Sequence, residues 1–160
     1  MLKRVLKKNK TGKYGSTPHD EYQYLHLIDD ILLDGVMEYG RNGNAKTIIG
    51  SAMHFSLENN TIPLLTTKKV AWKTCTKELF WFISGKTDNK ILQEQNVGIW
   101  NGNASREYLD NIGLYDRTEN DLGPVYGHQW RHFNAPYDTC NNDYTGKGED
   151  QLDYIISCLK

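Results

Sequence analysis

The feature that most constrains this sequence is the run DLGPVYGHQWRHF, from Asp121 to Phe133. Gly123, Pro124 and Gly127 supply backbone positions suited to a turn and to a close approach. The other residues thread polar groups between aromatic rings, a mixture that neither a helical nor a strand period requires. Taken alone, the run predicts a turn followed by a half-buried strand, so its meaning depends on the rest of the chain.

Composition excludes several classes of protein. The 160 residues suffice for one domain with a hydrophobic core. A net charge of −1 offers no electrostatic case for binding nucleic acid or a membrane surface, and the longest apolar run, LFWFI, is too short to span a bilayer. The cysteines, Cys75, Cys140 and Cys158, lack C-x-x-C spacing. They indicate reduced thiols in a reducing, cytoplasmic compartment, and neither a disulfide framework nor a zinc or other metal site.

The amino-terminal segment differs from the remainder. Residues 1–18 are basic, and no acidic residue occurs before Asp20. We interpret them as a basic flexible tail or linker rather than a transit peptide, because they contain one arginine and little serine. Residues 19–160 then form the folded domain.

Periodicity and capping residues predict the elements of the first part of that domain. A helix begins at Thr17-Pro18-His19-Asp20 and stops at Gly35. Its apolar positions are Tyr22, Leu25, Ile28, Leu32 and Val36. Residues 40–44 predict a flexible loop, residues 49–57 a strand with alternating apolar side chains, and residues 58–60 a turn.

A second helix is predicted from about Val70 to Ser84, ending at Gly85. Cys75, Leu79 and Phe82 share one face of it, and Glu78 lies at the edge of that face. The carboxylate is therefore either desolvated, with a raised pKa suited to proton transfer, or a side chain that reaches water.

Shorter elements follow. Asp88 is expected to cap a helix over residues 89–95, residues 101–103 to form a turn, and Ser105 to cap a helix through Ile112. Residues 134–148 read as a loop. A last helix begins at Asp150 with an apolar face predicted to point inward, formed by Leu152, Ile155, Ile156 and Leu159.

Six ordered segments resemble the thymidylate synthase family over roughly residues 19–160. They are EYQYL, PLLTTKKV, ELFWFISGKT, IWNGN, DLGPVYGHQWRHF and DYTGKGEDQL. The resemblance implies an α+β fold, with helices packed on a mixed β-sheet, incomplete at the C-terminus. It implies reductive methylation of dUMP to dTMP with methylenetetrahydrofolate as co-substrate, and a homodimer in the full-length protein.

The resemblance also implies roles for individual residues. Arg41 matches the arginine that holds the substrate phosphate, which a guanidinium grips with paired hydrogen bonds. Glu78 matches the glutamate that organises water and proton transfer, and Tyr126 the tyrosine of the proton-removal network. The folate site is implied at Ile99, Trp100 and Asn103.

Two departures from the family pattern stand out. Asn101 occupies the position after the tryptophan where the family usually has aspartate. The nucleophilic cysteine of the family lies in a P-C-H context that this sequence lacks, so we expect a fragment that is inactive alone. A relative that hydroxymethylates dCMP and a truncated, non-catalytic binding protein remain alternatives.

Overall fold

The structure, a computed structural model, describes residues 19–40 and 43–160. Residues 1–18, which include the predicted tail and the Thr17-Pro18 helix start, lie outside the described residues, as does Arg41. The chain divides into two compact units, Met1–Val70 and Ala71–Lys160. The regular elements of the described residues are helices and one two-stranded sheet, which agrees with the predicted α+β class. None of the helices in this part of the chain has the length and apolarity needed to cross a membrane.

The first unit consists of one long helix, a hairpin and an irregular segment. Its elements are α1 (Tyr22–Asp34), β1 (Val36–Gly40), β2 (Gly43–Thr47) and a 3₁₀ turn (Glu58–Asn60). Helix α1 ends as predicted at Gly35, whose amide donates to the carbonyl of Ile31 at 3.0 Å. The extended backbone of Gly35 turns the chain out of the helix, so the expectation that Val36 continues the helix is wrong.

Of the loop predicted over residues 40–44, the described residues lie in strands. Val36 pairs with Thr47 and Gly40 with Gly43 in an antiparallel ladder, which places Gly40, Gly43 and Asn44 in strands. Nine of these ten strand residues are exposed, the tenth being half-buried. Without a buried face, the strands carry no alternation of apolar and polar residues that would reveal them.

The strand predicted over residues 49–57 is also wrong, because these residues form no regular element. Side chains from α1 and from the residues just before it bind their backbone groups. The Gln23 side chain accepts from the amide of His54 at 2.8 Å and donates to its carbonyl at 2.6 Å. The Asp20 carboxylate accepts from the amide of Ser56 at 2.9 Å. These bonds replace the ones that a strand ladder would make.

The second unit contains six helices. They are α2 (Trp72–Ile83), α3 (Lys90–Glu94), α4 (Asn101–Ala104), α5 (Arg106–Asn111), α6 (Tyr126–Arg131) and α7 (Gln151–Cys158). Two predicted caps are confirmed, since Ser105 accepts from the amide of Tyr108 and Asp150 from that of Asp153. The N-cap residue of α3 is Asn89 rather than the predicted Asp88, whose carboxylate accepts from the amide of Lys90 at 2.9 Å. The core is built from Trp81, Phe82, Leu92, Val97, Ala104 and Leu122.

Three expectations for this unit need correction. Residues 101–103 belong to the single helical turn α4, and the strand expected after Gly123-Pro124 is the helix α6. The glycine at position 127 made this run look unlike a helix. Glycine is required there because a side chain would collide with the carbonyl oxygen of Lys86. The apolar face of α7 does not point inward, because Ile155 is 53% exposed and Leu159 82% exposed.

Candidate functional site

Glu78 lies in α2 and is half-buried. Its Oε1 accepts a hydrogen bond from the indole Nε1 of Trp100 at 2.8 Å. The sequence placed Glu78 at the edge of a helix face that includes Cys75 and Leu79, and a desolvated carboxylate requires that face to be buried. It is not buried at these two positions, since Cys75 is exposed and Leu79 is 46% exposed. The carboxylate therefore belongs to a half-buried side chain with one aromatic donor, rather than being sealed among apolar side chains.

Phe82 in α2 packs against aromatic residues of α6 and against Trp100, which directly precedes α4. Its ring centroid is 5.2 Å from that of Tyr126 and 6.3 Å from that of Trp100, both in edge-to-face geometry. The rings of Trp100 and Tyr126 are 6.4 Å apart, and Trp130 packs on another edge of Phe82 at 5.6 Å. Such edge contacts fix ring orientation as well as burying area.

The structure thus gathers three of the predicted site residues, Glu78, Trp100 and Tyr126, around Phe82. Tyr126 is 56% exposed, and no hydrogen bond from the described residues engages its hydroxyl. Ile99 precedes Trp100 and is 50% exposed. Asn103 is exposed on α4 and makes no side-chain hydrogen bond within residues 19–40 and 43–160. Arg41 lies outside the described residues.

Sequence reasoning missed a buried carboxylate at Asp121, which is 1% exposed. Its Oδ1 accepts from the hydroxyl of Tyr137 at 2.6 Å and the amide of Gly123 at 2.8 Å. Its Oδ2 accepts from the amide of Cys140 at 2.9 Å. Asp121 therefore ties the loop over residues 134–148 to the turn that precedes Tyr126. The available signal in the sequence was an acidic residue followed by a loop, residues 134–148, that contains two tyrosines.

The Tyr137 hydroxyl and the Cys140 thiol, which lie around Asp121, are both poor nucleophiles at neutral pH. Burial raises the pKa of Tyr137 far above its ordinary range, and the Asp121 carboxylate, which accepts a hydrogen bond from the Tyr137 hydroxyl, adds to the rise. Burial also raises the pKa of the Cys140 thiol to about 11, with Asp121 adding to the rise. Both groups stay protonated at neutral pH, so this cluster holds structure rather than supplying a nucleophile.

A second network consists of four amide side chains, Asn89, Gln93, Asn101 and Asn120. The Nδ2 of Asn89 donates to the Oδ1 atoms of Asn101 at 3.0 Å and Asn120 at 3.2 Å. The Nε2 of Gln93 donates to the same two oxygens, at 3.0 Å each. Two donors and two acceptors thus close a ring next to Trp100. The sequence predicted Asn101 in a turn and Asn89 and Gln93 in a helix, without indicating their mutual contacts.

In the first unit, Glu21 forms a different kind of carboxylate site. Its oxygens accept from the amide and hydroxyl groups of both Thr66 and Thr67, at 2.5 to 2.8 Å. Hydrogen bonds from the Thr66 and Thr67 hydroxyls lower the pKa of Glu21 to about 2. Three of these donors share Oε1 and one binds Oε2, so Glu21 acts as a structural clamp on the two threonines.

A cavity of about 280 Å³ also lies in the first unit, lined by residues that include Phe55, Leu64 and Leu65. None of the predicted catalytic or folate-binding residues lines it. Its volume is just below that usual for small-molecule sites. We therefore place the candidate site at Glu78 rather than here.

Comparisons with known proteins show what this chain is similar to. A family profile described as thymidylate synthase matches residues 22–160. The bifunctional dihydrofolate reductase-thymidylate synthase of Zea mays is 52% identical over 143 residues, 89% of this chain and 27% of that protein. Its counterpart from Leishmania major is 46% identical over 149 residues, 92% of this chain and 29% of that protein. The chain thus spans less than a third of the length of these relatives.

Proposed function

The chain belongs to the thymidylate synthase family, and on that premise we propose that it carries part of an active site for the reductive methylation of dUMP to dTMP. The supporting observation is that Glu78 accepts the indole hydrogen of Trp100 within the aromatic group that includes Tyr126. A carboxylate with one fixed donor and free acceptor capacity can bind a water molecule and relay a proton. Tyr126, with an unengaged hydroxyl nearby, would assist proton removal.

We propose methylenetetrahydrofolate as the co-substrate, which supplies the transferred carbon and the hydride. The half-exposed side chains of Ile99 and Trp100 fit this role, because flat heterocycles bind against apolar and aromatic walls. Asn103, exposed on the same helix as Asn101, would supply a polar contact. Arg41 would bind the phosphate of dUMP, an assignment supported by the family resemblance alone.

The remaining features are also proposals drawn from the family. In the complete protein, the helices would pack on a mixed β-sheet and the enzyme would act as a homodimer. The exposed apolar side chains Ile155, Ile156 and Leu159 are available for such packing. The free cysteines agree with a reducing, cytoplasmic location.

We propose that none of the three cysteines of this sequence is the nucleophile. The raised pKa of Cys140 disfavours the thiolate, and Cys158 lies exposed on α7. The test is dTMP formation from dUMP and methylenetetrahydrofolate, with dCMP as the competing substrate. The chain alone should show no turnover, and the full-length protein with serine at positions 75, 140 and 158 should remain active. If turnover is instead lost in one of the three single Cys→Ser variants, the cysteine replaced in that variant is the nucleophile.

A further inference from the structure

The short helix α4 cannot hold its own position. It comprises one helical turn, and isolated helices of that length are unstable in water. Its first residue, Asn101, directly follows Trp100, whose indole nitrogen donates to Glu78. The geometry of this hydrogen bond therefore depends on what fixes the start of α4.

The amide network provides that support. Asn89 is fully buried, at 0% exposure, and shares the Asn101 acceptor with Gln93. Two backbone hydrogen bonds add further links. The amide of Asn89 donates to the carbonyl of Asn120, and the amide of Asn120 donates to the carbonyl of Ala104, each at 2.9 Å. Helix α3, helix α4 and the turn at Asn120 are thereby held together.

We propose that Asn101 is a positioning residue, whose Oδ1 sets the Trp100 indole at hydrogen-bonding distance from Glu78. The inference rests on the proposed function only for its catalytic consequence. Asn101 uses its oxygen as the acceptor for two donors, while its Nδ2 lies where a methyl group on Gly98 would approach to 2.9 Å. Because only the oxygen is used, a carboxylate at position 101 should serve equally. This accounts for the exchange of asparagine for the aspartate usual in the family.

The experiment follows the indole N–H signals of full-length protein labelled with ¹⁵N-tryptophan, assigned by Trp→Phe variants. Asn101→Leu should shift the Trp100 signal and speed its hydrogen exchange at least tenfold, whereas Asn101→Asp should leave both unchanged. Trp81 is an internal reference, because its Nε1 donates to the carbonyl of Asp88 at 3.0 Å, beside the same network. Asn111→Ala, at an exposed amide of α5, is the matched control.

Equal changes at Trp81 and Trp100 would overturn the proposal, since they would indicate general loosening. An unchanged Trp100 signal in Asn101→Leu would overturn it as well. If Asn101→Leu does not fold, Gly98→Ala decides, because it displaces the Asn101 side chain while keeping every amide. It should move the Trp100 signal and spare that of Trp81.

Kinetics separate this inference from the proposed function. In an active thymidylate synthase, Asn101→Leu should raise KM for methylenetetrahydrofolate about tenfold and change that for dUMP little. If the full-length protein lacks this activity, the proposed function fails while the spectroscopic result still decides the role of Asn101.

Discussion

Glu21 and Glu78 belong to different units and illustrate two uses of the same side chain. Glu21 is 5% exposed and accepts hydrogen bonds from four donors of two adjacent threonines. Glu78 is half-buried and accepts from one indole N–H. A carboxylate that is engaged by four donors of its own chain holds structure, whereas one with a single donor keeps acceptor positions for a substrate or water. Burial alone would have favoured Glu21 as the functional residue.

The largest effect is expected for Glu78→Gln in the full-length protein. Glutamine keeps the shape and an acceptor for Trp100 but cannot relay a proton. We expect kcat for dTMP formation to fall by roughly 10²–10⁴ and dUMP affinity to change much less. Steady-state kinetics beside a dUMP binding measurement test this prediction.

Glu107→Gln is the matched control for that experiment. Glu107 is an exposed glutamate in the first turn of α5, and its replacement should leave both parameters unchanged. Equal losses of rate and affinity in Glu78→Gln would indicate a damaged pocket. An unchanged rate would make Glu78 a structural residue like Glu21.

The converse substitution, Glu21→Gln, should act on stability. Three of the four threonine donors share Oε1 and one binds Oε2. Because the amide nitrogen of glutamine cannot accept hydrogen bonds, either one or three of these donors lose their partner. We expect hydrogen exchange at the Thr66 and Thr67 amides to accelerate about 10- to 100-fold. Glu58→Gln, at an exposed glutamate of the same unit, is the control. Unchanged protection at both threonines would show that the clamp contributes nothing.

Acid should release the same clamp reversibly. Since the pKa of Glu21 falls from 4.5 to about 2 on folding, its stabilising contribution is complete above pH 4.5. The contribution then declines as the pH falls toward about 2. The carboxyl carbon shift of Glu21, followed by NMR from neutral pH downward, should have its midpoint near the lower value. A midpoint near 4.5 would refute the clamp.

The smallest effect is expected for Trp100→Phe, which removes the indole donor and keeps an aromatic ring beside Phe82. The loss of one hydrogen bond to a carboxylate should lower kcat/KM about tenfold. Trp130→Phe is the control, because Trp130 packs on the same phenylalanine and its indole donates no hydrogen bond within the described residues. If both variants lose activity equally, packing rather than the Glu78 contact explains the effect.

Local signals predicted much of the fold. Ser105, Asp150 and the glycines Gly35 and Gly113 mark helix ends that the structure confirms. Such caps act within a few residues and are visible in sequence. The hairpin and the irregular segment around His54 were mispredicted, because exposed strands lack a pattern and because the Gln23 side chain competes for the backbone from 31 residues away.

At the site, the family resemblance supplied residues that periodicity could not. It identified Glu78, Trp100 and Tyr126, which the structure brings together. The residues that support them, Asp121 and the amide network, were missed. Their contacts join turns distant in sequence, and an asparagine in a turn carries no local sign of its long-range partner.

The contact at Gly127 has a consequence for how this region can change over evolutionary time. The backbone of α6 lies directly against the backbone of Gly85 and Lys86, where even a methyl group would not fit. Most interior positions tolerate substitution because neighbouring side chains repack, but two touching backbones offer nothing that can repack. Position 127 therefore has a single permitted amino acid, whereas the adjoining Tyr126 is constrained by the ring contacts that it makes with Phe82 and Trp100.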